Sequence, residues 1–169
     1  MHTDSHSHPE YRAYVGRPEA FDTLGASNFT LLTILGLREH HRLLDFGCGS
    51  LRSGRMLISY LMPGKYFGIE PNKWLIDEAV KNELGLDILR VKKPSFDYNA
   101  DFVLDVFGVK FDFIHAHSVF THSPERMINK FFDQATKVMV PESIFVGTFR
   151  EGASNYARSE WVYPGQVTY

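Results

Sequence analysis

The fold of this chain is constrained most by a glycine turn between an apolar run and a helix-like segment. Residues 42–52 have the sequence RLLDFGCGSLR, in which the apolar run reaches Asp45 and then breaks at Gly47, Cys48 and Gly49. Glycine admits backbone dihedrals closed to other residues and lets a ligand lie against the main chain. A helix beginning directly after the turn would point unpaired N–H groups at the same place. The pattern predicts a binding site for a nucleotide-like cofactor.

Strand-like and helix-like patterns alternate around this turn. Apolar residues at helical spacing predict helices at residues 18–35, 51–62 and 72–84, and from residue 124 onward. The last of these has Ser123 as a capping hydroxyl and Pro124 at its first position. Short apolar runs predict strands at residues 42–46, 65–70, 95–98, 111–117 and 143–149, the last of them central. This alternation is typical of an α/β fold with a doubly wound, mostly parallel sheet and helices on both faces.

Composition limits the class of protein. The 169 residues, 44% of them hydrophobic, suffice for one domain with a core. A net charge of -2 argues against a stable nucleic-acid partner held by a broad basic surface. The single cysteine excludes an internal disulfide and a cysteine-built zinc site. Because the chain opens with MHTDSHSHPE and has no apolar run of membrane-spanning length, we expect a cytoplasmic protein with no membrane partner.

The chain divides into four parts in this interpretation. We expect a disordered tail with only adventitious metal affinity at residues 1–10, which carry His2, His6 and His8. Residues 11–41 form a helical lead-in, in which Tyr11 and Tyr14 either lie over a pocket mouth or cover the core. Residues 42–150 form the binding core. Residues 151–169 form a C-terminal segment too apolar at 161–163 to be a free tail.

Polar residues lie at or just beyond the ends of four predicted strands, where ligands of open parallel sheets bind. They are Asp45, Glu70, residues 99–101, and His117 with Ser118. An acid about 20 residues after the first glycine, as Glu70 is, suits the two ribose hydroxyls of an adenosine cofactor. The dinucleotide fingerprint needs a third glycine at its sixth position, and Arg52 stands there. NAD is therefore disfavoured.

Three histidines lie near the fourth strand end. His115 and His117 are two residues apart on a strand and so share a face, whereas His122 lies beyond the strand. His117 and His122 are candidates for a catalytic base or a substrate contact, and hydrogen-bonded structural histidines are the alternative. A metal cluster of the three is disfavoured because no acidic ligand falls within the run, so no metal site is expected.

Three motifs resemble those of class I S-adenosylmethionine-dependent methyltransferases of the small-molecule type. LLDFGCGSLRSG resembles their motif I, YFGIEPN resembles the acidic-ended second motif, and FDFIHAHSVFTHSPE is similar to the fourth-strand motif. The resemblance covers residues 43–149 in the right order and implies a Rossmann-like fold. One departure is Leu51, which stands where the family usually has its third glycine.

The resemblance implies roles for individual residues. The backbone of Gly47, Cys48 and Gly49 would lie against the methionine and ribose parts of S-adenosylmethionine. Asp45 would attract the cofactor ammonium and Glu70 would hold the ribose hydroxyls. Adenine would be flanked by Ile69 or Pro71 and met at its edge by Asn99 or Asp101. Cys48 is favoured as a small residue in a tight turn over a nucleophile.

The implied activity is methyl transfer from S-adenosylmethionine to a small-molecule acceptor, at a hydroxyl, leaving S-adenosylhomocysteine. Two alternatives remain: a cofactor-binding domain that acts through association without catalysis, and an NAD-dependent oxidoreductase, which Arg52 opposes. The family normally adds two strands after the fifth, so we expect the final strands to be missing or replaced. Either the sequence stops short, which we favour, or the fifth-strand edge is covered by residues 151–169 or by a partner in a homo-oligomer.

Overall fold

The computed structural model describes residues 10–169 and contains one five-stranded, all-parallel sheet. Its strands are β1 (Leu43–Phe46), β2 (Tyr66–Ile69), β3 (Ser95–Asp97), β4 (Phe111–Ala116) and β5 (Met139–Gly147). The spatial order is β3-β2-β1-β4-β5, so strand order reverses between β1 and β4. This confirms the predicted doubly wound sheet. The predicted tail histidines His2, His6 and His8 lie outside the described residues.

Six α-helices surround the sheet in the described part of the chain. They are α1 (Glu10–Tyr14), α2 (Phe21–Ile34), α3 (Gly54–Tyr60), α4 (Lys73–Ala79), α5 (Leu86–Lys92) and α6 (Glu125–Val138). A π-helical turn at Val80–Leu84 continues α4 as far as Gly85, whose positive φ ends it, as the sequence predicted. Helix α5 was not predicted. None of the helices within residues 10–169 has both the length and the apolarity needed to cross a membrane.

The two faces of the sheet bury separate apolar clusters because successive strand residues point to opposite sides. Leu44 and Phe46 of β1 pack towards α6, whose Phe131 ring lies 5.0 Å from that of Phe46. Leu43 and Phe113 pack on the other face, in the cluster that also holds residues of α2, α3 and α4. Burial on both faces explains why the strands are almost continuously apolar.

Helix α3 begins later than predicted. The expected start at Leu51 is wrong because Leu51 itself adopts a left-handed conformation (φ 55°), as do Gly47 (φ 70°) and Gly49 (φ 53°). The turn therefore extends to Ser53, and the N–H group of Leu57 is bonded to the Ser53 carbonyl.

Strand β5 and the start of α6 also differ from prediction. The strand starts at Met139 and, within the described sheet, is an edge strand rather than a central one. A register shift between Phe111 and Phe113 accommodates Pro141 on that edge. Ser123 does not cap α6, because its hydroxyl donates instead to the Val119 carbonyl at 2.9 Å.

Candidate cofactor cavity and its histidines

A cavity of about 400 Å³ opens at the carboxyl ends of β1, β2 and β4, beside the point where strand order reverses. Its wall carries nine of the predicted site residues: Asp45, Gly47, Cys48, Gly49, Glu70, Pro71, Asn99, His117 and Ser118. It also carries His122, the second candidate base. The structure does not bring Asp101 to this wall and leaves it exposed.

The glycine turn forms the floor of the cavity through its main chain. A Cβ atom on Gly47 would lie 2.5 Å from Cγ2 of Val119, and one on Gly49 would lie 2.8 Å from Cγ1 of Val15. The N–H groups of Gly47 and Cys48 both donate to the Ile69 carbonyl, at 2.8 and 3.1 Å. Because these donors already have partners, the turn suits a ligand packed against the backbone better than a pyrophosphate that needs N–H donors.

Cys48 is buried within the turn. Its burial, followed by the nearby charges of Asp45 and Glu70, raises the pKa of its thiol well above the usual value. A buried thiol of this kind is protonated and is a poor nucleophile. The structure therefore supports the interpretation of Cys48 as a small packing residue.

Glu70 fixes the turn to the loop after β2. One carboxylate oxygen accepts from the Gly49 N–H group at 3.1 Å, and the other accepts from the backbone and side chain of Asn72 at 2.9 and 2.8 Å. Burial raises the pKa of the Glu70 carboxyl, while the hydrogen bonds from Asn72 and Gly49 act in the opposite direction. Each carboxylate oxygen can accept about two hydrogen bonds. The oxygen bonded to Gly49 therefore retains acceptor capacity at the cavity wall.

Asp45 is held by two other buried side chains. Its two oxygens lie 2.8 Å from the Tyr66 hydroxyl and 2.9 Å from Nδ1 of His115. Burial raises the pKa of Tyr66 well above its usual value, so its phenol stays protonated and donates. The sequence pattern did not single out Tyr66. These two partners orient the Asp45 carboxylate, which also lines the cavity.

The loop after β3 forms the far wall and explains the position of Asp101. Asn99 donates to the Asp97 carboxylate and to the Val103 carbonyl, at 2.6 and 3.1 Å, which curls the loop. Phe102, with a positive φ of 56°, turns inward and packs against Phe46 with their rings 4.7 Å apart. Asp101 consequently faces solvent. Phe102 and Asn99 both line this part of the cavity.

Arg52 connects the turn to β4 across the cavity. Its guanidinium donates to Nδ1 of His117 at 2.7 Å and to the Val15 carbonyl at 3.0 Å. Burial, then the charge of Arg52 and that of His115, lower the pKa of His117 to about 4, whereas Asp45 acts in the opposite direction. His117 is therefore neutral near pH 7. The sequence indicated Arg52 only as a residue that spoils the dinucleotide fingerprint.

Both ends of the described chain meet at the cavity mouth. Tyr14 of the lead-in packs against Tyr163 of the C-terminal segment, with ring centroids 5.1 Å apart. Tyr163 and Trp161 in turn contact the His122 ring at 5.2 and 5.7 Å. Of the two tyrosines predicted to cover either a pocket or the core, Tyr14 lies at the mouth and Tyr11 is buried.

Residues 148–169 form no strand and fold back over the loop after β4. The N–H group of Val162 donates to the His122 carbonyl at 2.9 Å, and that of Val167 donates to the Thr121 carbonyl at 2.8 Å. The Tyr169 hydroxyl donates to the Ser123 carbonyl at 2.5 Å. Nδ1 of His122 lies 2.9 Å from the Val162 carbonyl oxygen and 2.6 Å from that of Gly165. The segment therefore replaces solvent on one side of the His122 ring.

Comparison with known proteins gives a family and a fold. Residues 44–145 match the sequence profile described as a methyltransferase domain. No curated protein matches the chain.

Solved structures of several methyltransferases resemble the chain. Magnesium protoporphyrin IX methyltransferase (ChlM) from Synechocystis PCC 6803, with bound SAM, has a TM-score of 0.65 and 15% identity over 89% of this chain and 73% of its own. N-methyltransferase NodS from Bradyrhizobium japonicum WM9 has a TM-score of 0.61 and 15% identity over 78% of this chain and 63% of its own. PKMT2 from Rickettsia typhi has a TM-score of 0.55 and 20% identity over 68% of this chain and only 22% of its own. The chain thus spans between about a fifth and three quarters of these proteins.

Proposed function

The chain belongs to the methyltransferase domain family, and from that premise we propose that it transfers a methyl group from S-adenosylmethionine to a hydroxyl of a small-molecule acceptor. The observation that carries the proposal is one cavity lined by the glycine turn, by Glu70 and by two histidines. Family membership supplies the reaction class, and the cavity supplies a place for both cofactor and acceptor.

The cofactor side of the cavity is formed by the turn, Glu70 and the loop after β3. The backbone of Gly47 and Gly49 gives a flat, close surface on which a ribose and a methionine chain can lie. Glu70 retains acceptor capacity for a ribose hydroxyl, as described above. Phe102 and Asn99 border the space for adenine. Asp45 lies at the methionine side, where a carboxylate attracts the cofactor ammonium.

The acceptor side is formed by His117, His122 and the aromatic mouth. S-adenosylmethionine carries a methyl group already activated by its sulfonium, so the protein contributes mainly alignment and removal of a proton. A hydroxyl acceptor benefits from a base within hydrogen-bond reach, and the histidines of this cavity are suitable side chains for that role. Trp161 and Tyr163 offer apolar surfaces to the body of the acceptor.

Isothermal titration calorimetry with S-adenosylmethionine, S-adenosylhomocysteine and NAD tests the cofactor. We expect saturable binding of the first two and none of NAD, because the N–H groups of Gly47 and Cys48 are already bonded to Ile69. Tight NAD binding without the other two would refute the proposal. A screen of hydroxylated small molecules with radiolabelled S-adenosylmethionine then identifies the acceptor.

A cofactor-binding domain that acts through association is the second candidate. In the described sheet β5 pairs only with β4, and an open strand edge favours association with another chain. We propose self-association through this edge, to be measured by light scattering after size-exclusion chromatography. Cofactor binding with no transfer to any compound in the screen would favour this second function.

A further inference from the structure

Two histidines of the cavity are held by partners of opposite hydrogen-bonding character. A guanidinium can only donate, whereas a backbone carbonyl can only accept. Nδ1 of His117 faces the guanidinium of Arg52, whereas Nδ1 of His122 faces the backbone carbonyls of Val162 and Gly165. A neutral imidazole carries its proton on one nitrogen only, so the partner of Nδ1 decides what Nε2 presents.

His117 presents a donor. Nη2 of Arg52 lies 2.7 Å from its Nδ1, so that nitrogen must hold a lone pair. The second contact of Arg52, to the Val15 carbonyl at 3.0 Å, keeps the guanidinium in this orientation. A neutral ring with a bare Nδ1 carries its proton on Nε2. His117 can then donate a hydrogen bond into the cavity but cannot accept a proton there.

His122 presents an acceptor. Its Nδ1 lies 2.9 Å from the carbonyl oxygen of Val162 and 2.6 Å from that of Gly165, so Nδ1 carries the proton. Nε2 then holds the lone pair, and within residues 10–169 it has no hydrogen-bond partner. The ring borders the cavity between Trp161 and Tyr163.

We propose that Arg52 and residues 162–165 lock the two histidines in opposite tautomers, so that His122 is the general base and His117 is a hydrogen-bond donor to the acceptor. This inference rests on the proposed methyl transfer. The acceptor oxygen bonds to the methyl carbon as the bond between that carbon and sulfur breaks, leaving S-adenosylhomocysteine, and the hydroxyl proton passes to Nε2 of His122. The favoured acceptor class carries a hydroxyl together with a second oxygen or nitrogen that accepts a hydrogen bond.

His115 shares the proton arrangement of His122, because its Nδ1 lies 2.9 Å from the Asp45 carboxylate. It sits within β4, however, with its ring stacked at 6.2 Å on that of His117 and beside the residue assigned to the cofactor ammonium. Its position is therefore on the cofactor side. His122 lies beyond the strand end, beside the aromatic mouth.

Nuclear magnetic resonance of the full chain labelled with 15N-histidine tests the tautomers directly. Long-range proton–nitrogen spectra at neutral pH distinguish a protonated from a bare ring nitrogen, and His117→Asn and His122→Asn identify the two rings among the eight histidines. His122→Gln replaces the second variant if it does not fold. We expect the proton on Nδ1 in His122 and on Nε2 in His117, with both patterns retained on addition of S-adenosylhomocysteine. Any other pattern at either ring overturns the inference.

Arg52→Met separates positioning from mere packing. Without the guanidinium, we expect His117 to become a mixture of tautomers while His122 keeps its pattern. Arg52→Leu serves the same purpose if the methionine variant does not fold. An unchanged His117 spectrum would refute the role of Arg52 as a positioning residue. The tautomers are properties of the protein without cofactor or acceptor. A wrong tautomer assignment would therefore not contradict the proposed cofactor binding, and a failure to bind the cofactor would not contradict the tautomers.

Discussion

Substituting Glu70 by Gln tests the cofactor side of the cavity most sharply. Three donors converge on this carboxylate: the N–H group of Gly49, the N–H group of Asn72 and the Asn72 side chain. A glutamine amide offers one oxygen and one NH2 group. In either orientation the NH2 group faces a backbone N–H group, and at least one hydrogen bond of the loop is lost.

The size of the effect follows from the same contacts. In the proposed complex a ribose hydroxyl donates to a carboxylate oxygen of Glu70, and in the variant it would meet either a weaker neutral acceptor or a competing donor. Loss of such a charge-assisted hydrogen bond costs about 1–3 kcal/mol, which corresponds to about a 5- to 150-fold weaker affinity for S-adenosylmethionine. The substitution also removes a hydrogen bond of the loop, so the fold of the variant is verified before the change in affinity is assigned to the ribose contact.

Calorimetry with S-adenosylmethionine and S-adenosylhomocysteine measures the loss, and circular dichroism verifies the fold. Glu78→Gln is the matched control, because Glu78 is a partly exposed carboxylate on α4 that does not line the cavity. We expect the control to bind like the unsubstituted protein. If Glu70→Gln also binds within twofold of that value, Glu70 does not hold the ribose and the reasoning is refuted.

Three further predictions concern the turn, His117 and the core. Gly49→Ala should weaken cofactor binding and lower Tm, since φ is 53° there and the new Cβ would lie 2.8 Å from Cγ1 of Val15; unchanged values of both would contradict the turn geometry. The free energy of unfolding should fall as the pH drops from about 6.5 to about 4, because His117 binds its proton more weakly folded than unfolded, and His117→Asn should reduce this slope in urea titrations. Phe131→Ala should cost about 3–5 kcal/mol in urea unfolding, and a loss below 1 kcal/mol would show that the α6 face is not packed as described.

The sheet and half of the cavity were predictable because their signals are local. Apolar runs ending in Asp45 and Glu70 mark strands and strand ends, and parallel strands bring those ends to one edge. The start of α3 was not predictable from periodicity, since a leucine at positive φ leaves no pattern in the sequence. The edge position of β5 was also missed, because apolarity alone does not distinguish an edge strand from a central one.

His117 and His122 were named from the sequence, but their contacts in the acceptor half could not be predicted because those contacts are long-range and have no period. Arg52 reaches His117 across 65 residues, and His122 meets the carbonyl of Val162 across 40. Backbone carbonyls are present at every residue, so no residue type signals that Val162 and Gly165 bind a histidine. Only the apolar character of residues 161–163 indicated that this segment packs against the domain.

Recognition of the acceptor and orientation of the base are coupled through one segment. Residues 161–165 supply two rings of the cavity mouth and both carbonyls that hold Nδ1 of His122. An acceptor that displaces Trp161 or Tyr163 therefore also moves the groups that fix the tautomer of His122. In the proposed complex the cofactor lies chiefly against the glycine turn, whose own hydrogen bonds do not involve this segment. Substitutions in this segment should consequently change which acceptors react while leaving the affinity for S-adenosylhomocysteine unchanged.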